Sequence, residues 1–421
     1  MKKIYYITAV FATLFLVGCG DGIDLPGVNV ETDLNKIPLP DNNVNLEQVE
    51  LKPSTEPMLH EGLHTEEDFQ RIRDKKAAGE EPWVSAYQLL VESQFSQKTA
   101  DTYPTEWIKR GVSGDENYMN AARGATIAYQ QALRWKIEQD DEYAAKAVEN
   151  LNKWVQTCVG VTGNTNLSLA AGLYGYEFAI AGELLRDYGG WDRADFAAFQ
   201  NWLLKVFYPA NDDFLKRHHD TNALHYWANW CLCNIAAKMA IGIVTDRRDI
   251  YNEGIAHLQT GDTNGRLRRA IYHDYAPDYN FAQWQESGRD QGHTLMCVGL
   301  MGIICQLAWS QGDDFFAYDD NLFLRACEYA ACCNYTNETV PYTTYIWQKQ
   351  SQWGYPIPEE QTTLGGGKWI KRAIWALPYY HYKGIKNISD DNLKYTKIAT
   401  EYVGIEAVSY THLRAHETSL H

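Results

Sequence analysis

Apolar residues recur along most of this chain at every third or fourth position, which is the spacing of one face of an α-helix. The pattern predicts helices in consecutive pairs. The clearest pair is 116–138 and 141–155, joined by the short connection Gln139-Asp140. A shorter helix is predicted to begin after Thr65. The other predicted pairs are 167–188 with 194–207, 221–245 with 249–259, 287–310 with 321–335, and 368–383 with 391–402.

The sequence lacks long alternating patterns of the kind that predict a large sheet, so we expect an all-α fold. Helical hairpins in one large chain bury one face of each pair against the next pair. They therefore curl into a solenoid or close into a toroid. We favour an (α/α) toroid, an incomplete barrel of six or seven helical hairpins whose inner helices line a central cleft.

Composition changes this picture in two ways. The 421 residues include 14 Trp and 28 Tyr, and such rings suit either a helical core or a cleft that binds sugars. The formal net charge of −16 argues against nucleic acid as a partner. It leaves an acidic substrate open, because a local basic cluster can set the potential of one cleft.

The two ends of the chain differ from the helical part. Residues 1–19 combine two lysines with a short apolar stretch and end at Cys19, which predicts a lipoprotein signal peptide with Cys19 as the lipidated residue. An ordinary secretory signal is the alternative. Residues 20–57 are predicted to form a flexible tether, 58–407 the toroid domain, and 408–421 a tail that is non-native. We expect a cell-envelope lipoprotein, periplasmic or anchored to the outer membrane. Most of the remaining cysteines lie in apolar helical sequence, so we expect them to be buried.

One polar stretch stands immediately before an apolar run. Glu286, Arg289 and His293 are spaced as i, i+3 and i+7, and Asp290 follows at i+4, so on a helix they would share one face. Two interpretations stay open. The cluster is a catalytic site, or the two carboxylates simply hold Arg289 as an ion pair at a helix start.

A second polar row is predicted on the helix 221–245. Asn222, His225 and Asn229 are again spaced as i, i+3 and i+7, and Trp230 follows. Because this helix and the one carrying Arg289 begin consecutive hairpins, both rows could face the same cavity. A single buried histidine with a structural role is the alternative for His225.

Two long loops, 266–284 and 340–358, are rich in aromatic residues that include Tyr279, Trp284, Tyr342 and Trp347. Long loops on a rigid scaffold often carry binding function, and aromatic faces suit sugar rings. Packing against the rim of the toroid is the alternative.

Three segments together resemble the alginate-lyase superfamily of polysaccharide lyases. They are Glu286-Ser287-Gly288-Arg289-Asp290-Gln291-Gly292-His293, the segment from Asn229-Trp230 to Ile241-Gly242-Ile243, and Gly62-Leu63-His64-Thr65-Glu66-Glu67-Asp68 with Glu81-Pro82-Trp83. The similarity covers most of 63–382. It implies an (α/α) toroid that cleaves a uronic-acid polymer by β-elimination without an organic cofactor. No metal-ligand spacing is evident in the sequence. Alginate rich in mannuronate is favoured, with glucuronan as a second candidate.

Elimination removes the proton on C5 beside a carboxylate, so an enzyme must neutralise that carboxylate while a base takes the proton. Arg289 and Asn229, with Asn222, fit the first role. His225 and His293 are available as base and acid. The family also implies a tyrosine, for which Tyr279 is the first choice and Tyr342 the second. Some relatives carry an adjacent Asn-His pair, which Ala223-Leu224 separates here, so the base assignment stays open. The substrate-binding candidates are Asn222, Trp230, Trp284, Gln285, Glu286, Tyr342 and Trp347.

Two other functions compete with the lyase. A glycoside hydrolase on a similar toroid would use Glu286 and Asp290, or another pair of carboxylates, as acid and base. A non-catalytic lipoprotein that captures glycans would use the aromatic loops alone. For the lyase we expect a monomer with an acidic polysaccharide as substrate and a membrane as partner through the lipid anchor.

Overall fold

The computed structural model describes residues 55–404 together with residues 42, 44 and 46, all within one compact unit, Pro40–His421. The signal peptide, Cys19 and the tail 408–421 lie outside the described residues. The helices are α1 Glu66–Ala77, α2 Trp83–Glu92, α3 Tyr118–Glu138, α4 Asp141–Thr157, α5 Leu167–Leu184, α6 Arg193–Val206, α7 Tyr208–Arg217, α8 Ala228–Val244, α9 Arg248–Thr260, α10 Leu267–Ala270, α11 Gln291–Ser310, α12 Tyr318–Tyr335, α13 Ala376–Tyr380 and α14 Lys394–Val403.

Short strands lie in the connections between helical pairs. β1 and β2 pair in parallel, whereas β3 with β4 and β5 with β6 form antiparallel pairs. The strands are β1 Trp107–Arg110, β2 Gly160–Gly163, β3 Ile271–Asp274, β4 Ala282–Trp284, β5 Tyr345–Gln350 and β6 Pro356–Gln361.

The hairpin of α3 and α4 shows why the pairs form. Gln139 adopts the left-handed conformation with φ of 58°, which ends α3 and reverses the chain. Asp140 then caps α4 by accepting a hydrogen bond from the backbone N–H of Glu142 at 3.0 Å. The apolar face of α4 buries residues at helical spacing, such as Ala147, Leu151 and Trp154, and packs against α3. The predicted hairpin is confirmed.

The helices α3, α5, α8 and α11 form the inner wall, because each packs against the next in this order. The inner helix α5 is buried at every residue from Ser168 to Leu184. It lies so close to α8 that a Cβ on Gly172 would stand 2.5 Å from the Cys233 sulfur, so the contact requires glycine. The all-α (α/α) toroid predicted from the sequence is confirmed.

All the inner helices begin at one end of the toroid. Short turns join each of them to its outer partner, and the longer connections 158–166, 218–227, 261–290 and 336–375 return the chain to that end. The short strands β1 to β6 lie before or within these connections. One end of the toroid therefore holds both the first turns of the inner helices and the long loops.

Two of the inner helices begin later than the sequence predicts. α8 begins at Ala228 rather than near residue 221, and α11 begins at Gln291 rather than 287. The helix α7 was not predicted at all. The last predicted pair is shorter than expected, since 368–375 is not helical.

The apolar character of the inner helices comes from burial in the core. α11 is the one helix in the described part of the chain that is long and apolar enough for a membrane span, and 78% of its most apolar window is buried in the protein. The described part of the chain contains eight free cysteines, and all of them are buried, as predicted for most of them. They are Cys158, Cys231, Cys233, Cys297, Cys305, Cys327, Cys332 and Cys333.

Part of the segment predicted as a tether contacts this domain. The side chain of Asn42 donates to the carbonyl of Ile346 at 3.2 Å and accepts from its N–H at 2.8 Å, along β5. Val44 packs beside Trp227 and Tyr345. The chain therefore reaches the loop end of the toroid well before residue 58.

Candidate active site

Glu286 lies at the centre of the polar cluster at this end. It belongs to the 3-10 turn Gln285–Gly288 and is fully buried. One carboxylate oxygen accepts hydrogen bonds from the backbone N–H and the side-chain amide of Asn229 at 2.8 and 2.6 Å. The other accepts from Arg289 at 3.0 Å. A buried carboxylate is costly without such partners, so Glu286 ties the start of α8 to Arg289.

Arg289 is the cation of the cluster that solvent can reach. Its side chain is 27% exposed, whereas that of Glu286 is fully buried. The guanidinium carbon lies 5.2 Å from the centre of the Trp227 ring, and Nε is 3.8 Å from a carboxylate oxygen of Asp290. The aromatic face and the two carboxylates fix the position of a positive group at the edge of the cleft.

Asp290 and His293 form a pair at the first turn of α11. Asp290 is the N-cap: one oxygen accepts the backbone N–H of His293 at 2.8 Å, and the other is 2.6 Å from His293 Nδ1. Burial acts to raise the pKa of Asp290. The hydrogen bonds from His293 and the charges of His293 and Arg289 outweigh burial and hold that pKa below its ordinary value.

His225 lies before α8, in the connection 221–227. Its Nδ1 accepts the backbone N–H of Gln350 at 2.8 Å, and its ring stacks on Trp347 with 5.8 Å between ring centres. Trp347 also stacks on Trp227, at 4.9 Å, and so connects His225 to the ring beneath Arg289. Burial, with a smaller effect from the charge of Lys349, lowers the pKa of His225.

The β5–β6 hairpin is attached to this connection through Asn222. The Asn222 amide nitrogen donates to the carbonyl of Gln348 at 3.1 Å and to the side-chain oxygen of Gln350 at 2.9 Å. Its oxygen accepts the N–H of Leu224 at 3.0 Å. Both amide hydrogens of Asn222 are thus engaged by β5, which gives this residue a structural role rather than contact with substrate.

A glycine-rich loop that the sequence analysis missed lies against Arg289 and Asp290. Gly365 donates to the Ser287 carbonyl, and Gly366 accepts from the N–H of Gln291, both at 2.8 Å. A Cβ on Gly365 would stand 2.5 Å from the Asp290 nitrogen, so this approach requires glycine. The run Gly365-Gly366-Gly367 is the feature of the sequence that could have predicted this loop.

Arg372 follows this loop and was also missed. It is buried and donates to the carbonyl of Gly292 at 2.6 Å, in the first turn of α11. Burial lowers the pKa of Arg372 to about 10, against the opposing charge of Asp290. In the described residues, no group of three or more His, Cys, Asp or Glu side chains is arranged to hold a metal ion.

Comparison with known proteins agrees with the fold. The family model described as alginate lyase matches residues 72–338, which is more than half of the chain. The chain belongs to the alginate lyase family. The family and the fold make it a polysaccharide lyase, as the sequence analysis predicted. The comparison with curated proteins gave no match.

Solved alginate lyases share the toroid at low sequence identity. An alginate lyase from Bacteroides ovatus aligns over 84% of this chain and 97% of its own, with 13% identity and a TM-score of 0.54. A histidine-to-alanine variant of alginate lyase A1-III, from Sphingomonas species A1, is complexed with a tetrasaccharide. It aligns over 77% of this chain and 87% of its own, with 14% identity and a TM-score of 0.52.

The two predicted polar rows of this chain are not helical faces, and that expectation was wrong. Thr221 to Trp227 precedes α8 and is not helical, so Asn222, His225 and Asn229 do not form one stripe. Asp290 has extended backbone (φ −170°, ψ 161°), which separates Glu286 and Arg289 from the helix that carries His293. The capping and ion-pair contacts described above still join Asn229, Glu286, Arg289, Asp290 and His293. Asn222 and His225 instead contact β5.

The two tyrosine candidates, Tyr279 and Tyr342, have different surroundings. The Tyr279 side chain is 53% exposed, and its ring stacks on Phe281, which packs against Tyr329 and Tyr395. Tyr342 lies nearer the cluster, because a Cβ on Gly288 would stand 2.3 Å from its hydroxyl. That hydroxyl donates to the Gln361 carbonyl at 2.8 Å, and burial raises the pKa of Tyr342 to about 12.

The remaining candidates of the lyase have packing roles in this structure. Trp284 is fully buried and donates to the carbonyl of Ala326, so its ring is closed off from the cleft. Gln285 is also fully buried and accepts the N–H of Ala228 at 3.0 Å. Trp230 packs against Tyr226 with 4.7 Å between ring centres, and part of its surface remains accessible. Asn229 is 1% exposed, so it acts through Glu286.

Proposed function

We propose that this lyase cleaves a uronic-acid polymer by β-elimination, with alginate rich in mannuronate as the favoured substrate and glucuronan as the second. The observation that supports this most is Arg289, a solvent-reachable guanidinium held by a buried carboxylate next to the Asp290–His293 pair. Elimination needs a fixed cation for the sugar carboxylate and a proton acceptor for C5. The neighbouring solved structures, one holding a tetrasaccharide, support an oligosaccharide ligand.

The position of the cluster also favours an anionic sugar. Arg289 and Arg372 stand against Glu286 and Asp290, and the first turns of α8 and α11 lie at the same place. The amino end of a helix carries a partial positive charge that stabilises anions within its first turn. The local potential can therefore attract a carboxylate although the whole chain has a formal charge of −16.

In this arrangement Glu286 and Asp290 are poorly placed to act as the acid and base of a glycoside hydrolase. Both oxygens of Glu286 are occupied and the side chain is fully buried, while Asp290 caps α11 and holds His293. Acid and base catalysis on a glycosidic bond needs two carboxyl groups that reach the sugar from the two sides of that bond. Arg289 and the histidines are left as the reachable groups.

The test is incubation of the protein separately with polymannuronate, polyguluronate and glucuronan. We expect ultraviolet absorbance to rise from the new conjugated double bond, most with polymannuronate, and products one water lighter than hydrolysis would give. New reducing ends without the double bond would instead establish hydrolysis. Binding of the polymers without any cleavage would establish a glycan-binding protein, and either result would overturn the proposal.

We also propose that the lyase is a cell-envelope lipoprotein, periplasmic or outer-membrane anchored, that acts as a monomer. The motif around Cys19 supports this location. Incorporation of labelled fatty acid into the full chain, and its loss in Cys19→Ala, would agree with the anchor. Equal labelling of both, or none in either, would contradict it.

A further inference from the structure

In both histidines of the site, the ring nitrogen Nδ1 contacts a partner. The partner is a hydrogen-bond donor for His225 and a hydrogen-bond acceptor for His293. His225 Nδ1 is 2.8 Å from the backbone nitrogen of Gln350, whose N–H can only donate. His293 Nδ1 is 2.6 Å from Asp290, whose ionised carboxylate can only accept. A neutral imidazole carries one N–H. The proton of His225 must therefore sit on Nε2, and that of His293 on Nδ1.

We infer that Asp290 and the backbone N–H of Gln350 are positioning groups that give the two imidazoles opposite roles. His293 presents an unprotonated Nε2 and accepts the C5 proton, whereas His225 presents Nε2–H and only donates a hydrogen bond to the sugar. This inference rests on the proposed elimination. It assigns the roles of the two histidines, which the sequence left open.

The electrons and protons balance without a further group. The pair of the C5–H bond becomes the double bond between C4 and C5, while the proton moves to His293 Nε2. The bond between C4 and O4 breaks, and its pair leaves with O4. The imidazolium of His293 returns the proton to O4, because a neutral His225 could supply one only by becoming an imidazolate.

The end of β5 is held firmly enough to position His225. The Gln350 side-chain oxygen accepts hydrogen bonds from the backbone N–H and the amide of Asn222, at 3.0 and 2.9 Å. Trp347 donates from its ring nitrogen to the His225 carbonyl at 2.7 Å and also stacks on the imidazole. These contacts fix both the backbone and the ring of His225 against β5.

Charged groups from three parts of the chain surround His293. Asp290 contacts it directly, Arg289 lies next to Asp290, and Glu286 holds Arg289 from the preceding turn. Arg372 reaches the Gly292 carbonyl from the loop before α13. Among the described residues, Asp290 is the anion in direct contact with the imidazole, so it determines which ring nitrogen of His293 carries the proton.

The first test is Asp290→Asn. The Asn oxygen can still cap α11, but its NH₂ group donates to Nδ1 and moves the histidine proton to Nε2. We expect kcat to fall on the order of 10²–10⁴-fold. Asp290→Glu keeps a carboxylate that can accept from Nδ1, so it should recover more of kcat than Asp290→Asn does. Equal loss of kcat in the two variants would overturn the inference.

The second test compares Gln350→Ala with Gln350→Pro. Both lose the side-chain contact to Asn222, but only proline removes the backbone N–H. We expect a further fall in kcat of about tenfold from alanine to proline, with melting temperature as the check on folding. Equal kcat in the two variants would contradict a role for the N–H.

The tautomers can also be read without activity, by ¹⁵N nuclear magnetic resonance of histidine-labelled protein, with signals assigned through His225→Gln and His293→Gln. We expect Nε2–H on His225 and Nδ1–H on His293. The opposite pattern in either ring would overturn the inference even if the protein eliminates uronates. Failure to form a double bond from any uronan would instead remove the proposed function and leave the tautomers as measured.

Discussion

α8 and α11 begin side by side at the site, yet the backbone N–H groups of their first turns find hydrogen-bond acceptors in different parts of the chain. α11 is capped by the residue directly before it, since Asp290 accepts the N–H of His293 at 2.8 Å. α8 has no side-chain cap from its own preceding residue, Trp227. Its first two N–H groups donate to Gln285 and Glu286 at 3.0 and 2.8 Å, 57 residues further along the chain.

This difference has a consequence for function. A local cap stabilises its own helix alone, whereas the distant cap joins two parts of the site. Glu286 both satisfies the start of α8 and holds Arg289. The stability of α8 and the position of the proposed carboxylate-binding group therefore depend on one buried side chain, and substitutions at the two caps should separate these effects.

The largest effect is expected from Glu286→Ala. The substitution leaves the Arg289 guanidinium without its buried partner and the Asn229 N–H groups without an acceptor. We expect a loss of about 3–5 kcal/mol in the free energy of unfolding, measured by urea denaturation. The rate of elimination should also fall, even at temperatures where the variant stays folded.

Glu286→Gln is the matched control, because its side-chain oxygen can still accept from Asn229 while the charge that holds Arg289 is lost. It should keep more of the stability than Glu286→Ala and still lose activity. Equal stability of the alanine variant and the wild-type protein would contradict the shared cap.

A smaller effect is expected at the local cap. Asp290→Ala should lower the free energy of unfolding by about 0.5–2 kcal/mol, while Asp290→Asn keeps the cap and loses less. The folded-state pKa of Asp290 is lowered, so its ionisation stabilises the fold above the unfolded pKa of about 3.9. That contribution is lost as the pH falls through the folded pKa.

Urea denaturation of wild-type protein and Asp290→Asn at several pH values checks this sign. The difference in the free energy of unfolding between the two proteins should be largest near neutral pH and should shrink in acid. A difference that grows as the pH falls below 4 would contradict the lowered pKa.

The smallest effect is expected at Tyr279. Its ring lies on Phe281 and is half exposed, so Tyr279→Phe should change kcat/KM by less than about twofold. Tyr342→Phe removes the hydrogen bond to the Gln361 carbonyl beside Gly288 and should cost about 1 kcal/mol of stability. A large loss of activity in Tyr279→Phe alone would show that the loop moves to the site on binding substrate.

The capping comparison also explains which features the sequence could predict. The hairpin of α3 and α4 was predictable because its turn residues and apolar face are local, and so was the capping box of Thr65 and Asp68. The start of α8 was placed too early because Thr221 to Trp227 mixes aromatic and polar residues at helical spacing. The turn that Asn222 forms with Leu224 was the local signal of a break.

The site depended on contacts that no local pattern contains. Arg289, Asn229 and both histidines were named from their spacing and from resemblance, but His225 meets Gln350 across 125 positions. The buried position of Trp284 and the exposed position of Tyr279 follow from tertiary packing. The loop approaches Asp290 because Gly365 has no side chain, yet the partner of this glycine could not be predicted from one sequence.

The most direct measurement compares double-bond formation from polymannuronate by wild-type protein, Arg289→Ala and Arg71→Ala. Arg71 is an exposed arginine on α1 that pairs with Asp68 and serves as the matched control. If Arg289 neutralises the uronate carboxylate, its loss should lower kcat on the order of 10²–10³-fold, while Arg71→Ala keeps the wild-type rate. Equal rates in all three proteins would contradict the account.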